Sequence, residues 1–464
     1  MASPSTDTEL HKHRELNTDP AALRDVRARM TEAGVEYLYC QVVTLTGRVV
    51  GKVVHAEHLG RIAENGVRAH PGCLADLQLD RDGSMLGGDA ERGEIVLLPD
   101  LDSFGILPWD PRTGFFFCRM YEPPHAPGEM GGRPVPLDVR GNLRRVHAGF
   151  RDRTGLELRS GCEPEVTWSV PGVESAHRPG TPHPLLHIEQ MDRLRPVYQT
   201  VVDYGRALGL DMSEGNCEGP GQLELNWTFD LAERTADRLV LHRQICRRVA
   251  RDLGAEVSFM PKPAEGELGN GCHHNISLWD GDRNVFVDPA VPGLHLTRTG
   301  KHALGGILAH AAAITAVLAP TVNSYKRLCD TGRFAPSEVD WGIDNKTCAV
   351  RFPDNGRLEV KLPDAMVNPY LSHAVLIAAI EDGLKNSTDP GPPRDCADTG
   401  PSPFGLLPTT LREALDRFAD NPIVACGLGP ELSTLFLRLK SREWDRFCRA
   451  VTDWEHLMYG DEGC

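Results

Sequence analysis

Four short stretches of this chain carry carboxylates, an imidazole and amides at a spacing of two. Glu163-Pro-Glu165-Val-Thr-Trp168 sets two carboxylates on one face of a strand. Gln222-Leu-Glu224-Leu-Asn226-Trp227 places Gln222, Glu224 and Asn226 opposite Leu223, Leu225 and Trp227. In Asn270-Gly-Cys-His-His-Asn-Ile-Ser-Leu-Trp279 a Gly-rich turn feeds a strand with His273, Asn275 and Ser277 on one face and His274, Ile276 and Leu278 on the other. Arg357-Leu-Glu359-Val-Lys361-Leu362 sets one acid between two bases. Each alone reads as a solvated edge or a surface ion-pair ladder. Together they suggest a sheet whose one face is lined with polar groups, and so a site.

If Glu163, Glu165, Glu224 and Glu359 converge beside His273, each unscreened pair at about 5 Å repels by roughly 3 kcal/mol at an effective dielectric of about 20. A cation must then sit among them. Magnesium or manganese suits carboxylate oxygens, and manganese accepts an added imidazole. Zinc is disfavoured, because the cysteines lack paired spacing. The cations Arg327, Lys346, Arg351, Arg357 and Lys361 follow closely along the chain. As a run they would ordinarily be a solvated basic face. Beside metal-holding acids they are what phosphoryl transfer needs, since that chemistry is mostly positioning and charge stabilisation. No GxxxxGK[ST] loop, GxSxG elbow or HExxH pair is present, which excludes those classes of site.

The elements that must hold these groups alternate. A short helix ending near Gly34 precedes strands at Tyr37–Val43 and Arg48–Val54, joined around Thr46-Gly47 as a hairpin. Strand-like pieces at Glu94–Leu98 and Phe115–Tyr121 complete a small β-rich domain of about the first 110 residues. Helices are expected at 138–153, 188–209 with a break at Pro196, 233–253, 301–319, 368–384, 409–419 and 430–453. Thr388–Pro403 reads as an exposed Pro-rich loop, and residues 1–18 as a polar, mobile N-terminus.

At 464 residues, 41% hydrophobic and 25% charged, the chain has the composition of a globular protein large enough for two domains. Its net charge of −15 argues against a nucleic-acid partner. The apolar run Leu304–Pro320 contains His310 and reads as a buried helix, so no membrane partner is expected. Thirteen cysteines without a CxxC pair, and an N-terminus without an apolar signal core, point to reduced thiols and a cytoplasmic location.

Six ordered motifs resemble the glutamine synthetase superfamily. They are Glu163-Pro-Glu165, Gly219-Pro-Gly-Gln-Leu-Glu224, Phe259-Met-Pro-Lys-Pro263, Gly269-Asn-Gly-Cys-His273, Pro320-Thr-Val-Asn-Ser-Tyr-Lys-Arg327, and Arg357-Leu-Glu359 running into Asn368-Pro-Tyr-Leu371. Gly221 to Trp279 resembles most the branch of γ-glutamylmethylamide synthetases and related γ-glutamyl-amine ligases. The resemblance implies an α+β fold: a β-grasp-like domain over residues 19–110, and a larger catalytic domain over 111–464 with a curved, mainly antiparallel sheet and packed helices. It implies two or three Mg²⁺ or Mn²⁺ per site, ATP as a substrate, and a homo-oligomer of two stacked hexameric rings with sites between subunits. Glutamate would be phosphorylated on its γ-carboxylate, and an amine would displace the phosphate. By position, Glu165 and Glu224 match ligands of one metal, and Glu163, His273 and Glu359 those of another. Gly269, with Asn270, and Arg327 match glutamate contacts. Ser277, Arg351 and Arg357 match nucleotide or phosphate contacts, with Arg327 and Arg351 expected to act in catalysis.

Departures from that pattern mark this chain. Thr44 stands where ammonia-using members carry an aspartate, and Phe334 where they carry a flap glutamate. Cys217 falls on a metal carboxylate, with Glu218 next to it and Glu214 nearby. Asn275 replaces a histidine near the nucleotide, and Lys346 and Lys361 replace arginines. Losing two anions disfavours ammonium, because a small cation leaving water needs a compensating charge. The expected nucleophile is a small amine uncharged near neutrality: an aromatic amine, a hydrazine or hydroxylamine type, or a substituted alkylamine packed against Phe334. A thiol is a poor magnesium ligand, so Cys217, Glu218 and Glu214 remain alternatives. Lys361 lacks the arginine fork, which leaves the acyl substrate open. Two other readings stand beside this one: a catalytically impaired subunit with a regulatory or structural role, and an ordinary glutamate–ammonia ligase.

Overall fold

In the computed structural model the described residues are 8–89, 91–127, 130–173, 185–292, 295–330, 334–353, 356–394 and 402–460. The alternation in the first 121 residues builds a mixed sheet from β1 (Tyr37–Val43), β2 (Val49–His55), β3 (Val67–Ala69), β4 (Ile95–Pro99), β5 (Gly105–Ile106) and β6 (Thr113–Tyr121). Its order is β2-β1-β6-β4-β3, with β1 parallel to β6 and β5 paired to β6. Leu38, Cys40 and Val42 of β1 face a core with Phe116 and Cys118 of β6 and Ile62, which the period of two in these strands dictates. Because β6 lies in the middle of this sheet, the sheet extends past residue 110 to Tyr121, a correction to the boundary expected from sequence.

A second correction concerns the N-terminus. Residues 1–7 lie outside the described residues, but Glu9–Thr18 is a helix and not a mobile tail. Thr8 caps it, Leu10 and His13 are buried, and the Asn17 side chain donates to the carbonyls of Pro99 at 2.8 Å and Ala63 at 3.3 Å. Three inward residues at helical spacing suffice when the polar one finds carbonyls to bind.

The larger sheet has ten strands: β7 (Glu157–Ser169), β8 (Met212–Asn216), β9 (Gln222–Trp227), β10 (Asp230–Leu231), β11 (Glu256–Ser258), β12 (Cys272–Asp280), β13 (Arg283–Asn284), β14 (Trp341–Ile343), β15 (Val350–Phe352) and β16 (Leu358–Val360). The order β14-β15-β16-β12-β7-β9-β8 is antiparallel throughout except for the β14–β15 pair. The expected α+β architecture with packed helices is present. One face of β12 buries His274, Ile276 and Leu278 completely, and so turns His273, Asn275 and Ser277 to the other side.

Helices cover the apolar face. Arg298–Leu318 crosses Pro369–Asn386 so closely that a Cβ on Gly306 would lie 2.2 Å from the Ala379 carbonyl oxygen. At 21 residues the first of these is long enough to cross a bilayer, but 72% of its apolar window is buried in the protein. Of the loop read at Thr388–Pro403, residues 395–401 lie outside the described residues. The helix expected over 430–453 ends at Arg449, and Thr452 starts another, Asp453–Tyr459, through a capping box with Glu455.

A charge network ties the first sheet to the helices Val139–Thr154 and Ala232–Asp252 that follow it. Asp100, which follows β4, accepts from Arg140 at 2.8 Å and Arg144 at 2.7 Å, and Arg140 also forks onto Asp237. Burial alone would raise the Asp100 carboxyl, but Arg140, Arg119 and Arg144 hold it well below the usual carboxylate range. Its contribution is therefore complete above about pH 4 and fades as the pH falls below that. Asp100→Ala strands buried guanidinium charge and is expected to cost about 3 kcal/mol. Urea unfolding at pH 7 checks this: the midpoint should fall with the slope unchanged.

Candidate functional site

Register does most of the work of assembling the site. His273 of β12 pairs with Glu163 of β7, Asn275 with Glu359 of β16, Glu165 with Glu224 of β9, and Arg351 of β15 with Glu359. These pairings bring acids from three strands to one surface. Glu163, Glu165, Glu218, Glu224, His273 and Glu359 line one cavity of about 140 Å³, together with Gly269, Arg327, Phe334, Lys346, Arg351 and Lys361.

Within it, His273 Nδ1 lies 3.2 Å from Glu359 Oε1 and 3.5 Å from Glu163 Oε2, while Nε2 is 3.9 Å from Glu165 Oε1. Ligating atoms of Glu163, His273 and Glu359 all fall within 4.8 Å of one another. Burial opposes charge on His273, yet Glu163 and Glu359 push it up to about 10. Burial, then Glu163 and Glu165, push Glu224 up to about 8. Burial and Glu165 likewise raise Glu218. These carboxylates crowd each other without enough positive charge, and the donor set of oxygens with one imidazole fits magnesium or manganese.

Loop backbone shapes the rest. Gly271 N donates to Glu165 Oε2 at 2.7 Å, and a Cβ there would meet His273 Nε2, Arg327 and Glu165 within 3.1 Å, so a larger residue would displace these cavity groups. Arg327 is buried and donates to the Leu362 and Lys361 carbonyls, leaving its guanidinium at the cavity wall. Arg351 donates to Glu359 Oε2 at 2.7 Å and forks onto Asp344. Phe334 holds a left-handed φ of 57°, and Lys361 Nζ fixes its carbonyl at 2.9 Å. The Lys346 ammonium lies 5.7 Å from the Phe334 ring centre.

Ser277 and Arg357 line a neighbouring cleft of about 390 Å³ instead, which shares Glu163 with the first. Asn275 joins the two, donating to Glu163 Oε1 at 2.7 Å and accepting from Arg357 Nε at 2.7 Å. Trp279 stacks on Phe229 at 5.6 Å beside them and gives that cleft an aromatic wall. Sequence reasoning missed this wall, and also Asn216, whose amide donates to Glu224 at 3.0 Å. It missed Asp330 at the cavity edge, paired to Lys262. The aromatic wall had a signal, since Trp279 continues the Asn275–Ser277 face; Asp330 had none.

Three of the expected residues lie off the cavity within this chain. Cys217 is fully buried, donates to the Gly219 carbonyl at 3.0 Å, and burial with Glu218 pushes its thiol up to about 11. β8 ends at Asn216, so the next residues are irregular and Glu218 turns into the cavity, while Glu214 faces the neighbouring cleft. Thr44 does not reach the cavity within this chain. It is fully buried in the β1–β2 turn, its hydroxyl 2.9 Å from that of Thr46 and its carbonyl accepting from Asn368. Asn270 lies behind the wall, its amide spent on Thr167, Gln222 and the Met260 carbonyl.

A second buried cluster, Cys162, Cys272 and His274, sits under β12. Both His274 nitrogens are engaged there, by the Cys272 carbonyl at 2.9 Å and the Ser372 hydroxyl at 2.8 Å. Burial keeps the Cys162 thiol protonated, so this cluster is packing.

Residues 137–459 match the family model described as "Glutamine synthetase, catalytic domain". The chain belongs to the glutamine synthetase family. Glutamine synthetase of Rhizobium meliloti is 33% identical over 455 residues, covering 93% of this chain and 98% of that one. Glutamate–methylamine ligase of Methyloversatilis universalis is 32% identical over 450 residues, covering 93% and 97%. A solved structure titled "GmaS/ADP complex-Conformation 1" superposes with a TM-score of 0.82 at 30% identity, over 94% of this chain and all of that one. As a glutamine synthetase family member, the protein has the family's α+β fold, with an N-terminal sheet and a larger catalytic sheet, and is an ATP-dependent carbon–nitrogen ligase.

Proposed function

We propose that this ligase joins glutamate, through its γ-carboxylate, to an amine other than ammonia. The observation that carries the reading is Phe334: an aromatic ring and Ala335 form the cavity wall beside Arg327, where the family resemblance puts a carboxylate in ammonia-using members. An apolar wall backed by the Lys346 ammonium repels a small cation and packs against a neutral amine. The likeness to a glutamate–methylamine ligase agrees with an amine other than ammonia, not with the charge of that amine. A subunit without catalysis is disfavoured, because Glu218 takes the place that Cys217 leaves.

In this reading Gly269, Arg327 and Lys361 hold glutamate, and Arg357, Asn275 and Ser277 hold the nucleotide in the cleft beside Trp279. Glu163, His273 and Glu359 would hold one divalent ion, and Glu165, Glu218 and Glu224 another. Such ions supply charge neutralisation for the transferring phosphoryl group. The γ-carboxylate oxygen attacks the terminal phosphorus of ATP, ADP departs, and Arg351 and Lys346 stabilise the equatorial oxygens. The amine nitrogen then attacks the acyl carbon, phosphate leaves with the acyl C–O bond, and the nitrogen gives its extra proton to the departing phosphate or to solvent. Arg327 keeps the acid oriented through both steps, held by its two carbonyl partners.

Phosphate release with glutamate, ATP and Mg²⁺ over a panel of methylamine, aniline, hydroxylamine and ammonium tests the choice. At least one neutral or substituted amine should exceed ammonium in kcat/KM by about tenfold, and Phe334→Glu should narrow that ratio by about tenfold. Ammonium as the best nucleophile would refute it.

A further inference from the structure

Between the β1–β2 turn and the C-terminal helix Pro430–Arg449 lies a further cavity of about 400 Å³, within the range of small-molecule sites and lined by no residue of the catalytic cavity or the cleft beside it. Phe259, Val317, Met366 and Leu439 give it apolar walls, while four arginines line it: Arg446, which donates to Gln78, and Arg48, Arg243 and Arg247. Among the described residues, none of these arginines has a carboxylate at ion-pair distance. Arg243 is buried and donates to the carbonyls of Ala365 at 2.9 Å and Val367 at 2.7 Å, and Arg247 lies 4.9 Å over the Phe259 ring. The acids nearby are committed elsewhere: Asp76 accepts from Thr46, and Glu443 pairs with Lys440 at 2.8 Å and accepts from Val322 N. Burial depresses Arg243, and the neighbouring Arg247 guanidinium adds to that shift. The lining thus carries five cationic side chains, Arg48, Arg243, Arg247, Arg446 and Lys440, against two acids, which gives the cavity a positive field.

We propose that this cavity binds a small organic anion with an apolar body, its carboxylate held by Arg48, Arg243 and Arg247 and its hydrocarbon part against Phe259 and Leu439. The site has a physical route to the catalytic cavity. Arg243 anchors Ala365, whose N–H donates to the Asn270 carbonyl at 3.1 Å. Phe259 leads into Pro261, whose carbonyl accepts from Asn270 N at 2.8 Å. Asn270 lies between Gly269 and Gly271, which shape the catalytic wall. An occupant therefore touches both segments that fix that turn.

Calorimetric titration of the full chain with 3-phenylpropanoate, acetate and inorganic phosphate, without ATP or glutamate, tests the site independently of any turnover. Phenylpropanoate should bind at least tenfold tighter than acetate and phosphate. Arg247→Ala should weaken it at least tenfold, and Met366→Trp, which fills the cavity, should abolish it. Amide exchange over residues 259–271 should slow on binding. No saturable binding, binding indifferent to both substitutions, equal affinity for all three anions, or unchanged exchange in that segment would each overturn the proposal.

Discussion

Glu359→Gln is expected to lower amide formation by about 10²–10³-fold and to weaken Mn²⁺ binding at least tenfold. The substitution keeps the shape of the side chain and removes its charge. In the native protein one Glu359 oxygen faces His273 Nδ1 at 3.2 Å and the other accepts from Arg351 at 2.7 Å. Burial would raise this carboxyl, but His273, Lys361 and Arg351 keep it well below the usual range, so it is an anion at any working pH. Losing that anion removes one of the three groups that converge within 4.8 Å. Manganese titration followed by electron paramagnetic resonance, beside the rate of amide formation, checks both numbers. A variant that binds manganese as tightly as the native protein would show that Glu359 holds only Arg351.

Arg351→Ala should separate charge stabilisation from metal binding. Its guanidinium stands on the cavity wall, gripped by Glu359 and Asp344, and so is preorganised where phosphoryl charge would develop. We expect kcat to fall about 10²–10³-fold, with KM for glutamate and affinity for Mn²⁺ changed by less than about threefold. Arg351→Lys should recover part of the rate but not all, since an ammonium keeps the charge and loses the fork. A loss confined to KM would make Arg351 a binding group only.

The two faces of β12 could be read from the period of two, and the structure keeps them: His274, Ile276 and Leu278 are buried, and His273 reaches the cavity. Convergence of Glu163, Glu224 and Glu359 was legible only because several strands shared that pattern; which strand pairs with which is set by long-range register, and no local signal encodes it. Cys217 and Glu218 show the limit well. Counting along a regular strand points Glu218 away, but the strand stops at Asn216 and the irregular backbone reverses the outcome. Thr44 has no such local signal either: within this chain its hydroxyl meets that of Thr46 in the turn. Glu9–Thr18 was missed because Asn17, a polar residue, is one of its inward anchors, and only the carbonyls of Ala63 and Pro99 explain it.

Transfer of oxygen from acid to phosphate reports directly on whether the cavity phosphorylates a carboxylate. With glutamate labelled by ¹⁸O in its γ-carboxylate, ATP, Mg²⁺ and a reactive amine, each amide formed should be matched by one phosphate carrying a single ¹⁸O, and chelation of the metal should stop both. Amide formed with unlabelled phosphate, or at the same rate after chelation, would contradict an acyl phosphate made among Glu163, Glu165, Glu224, His273 and Glu359.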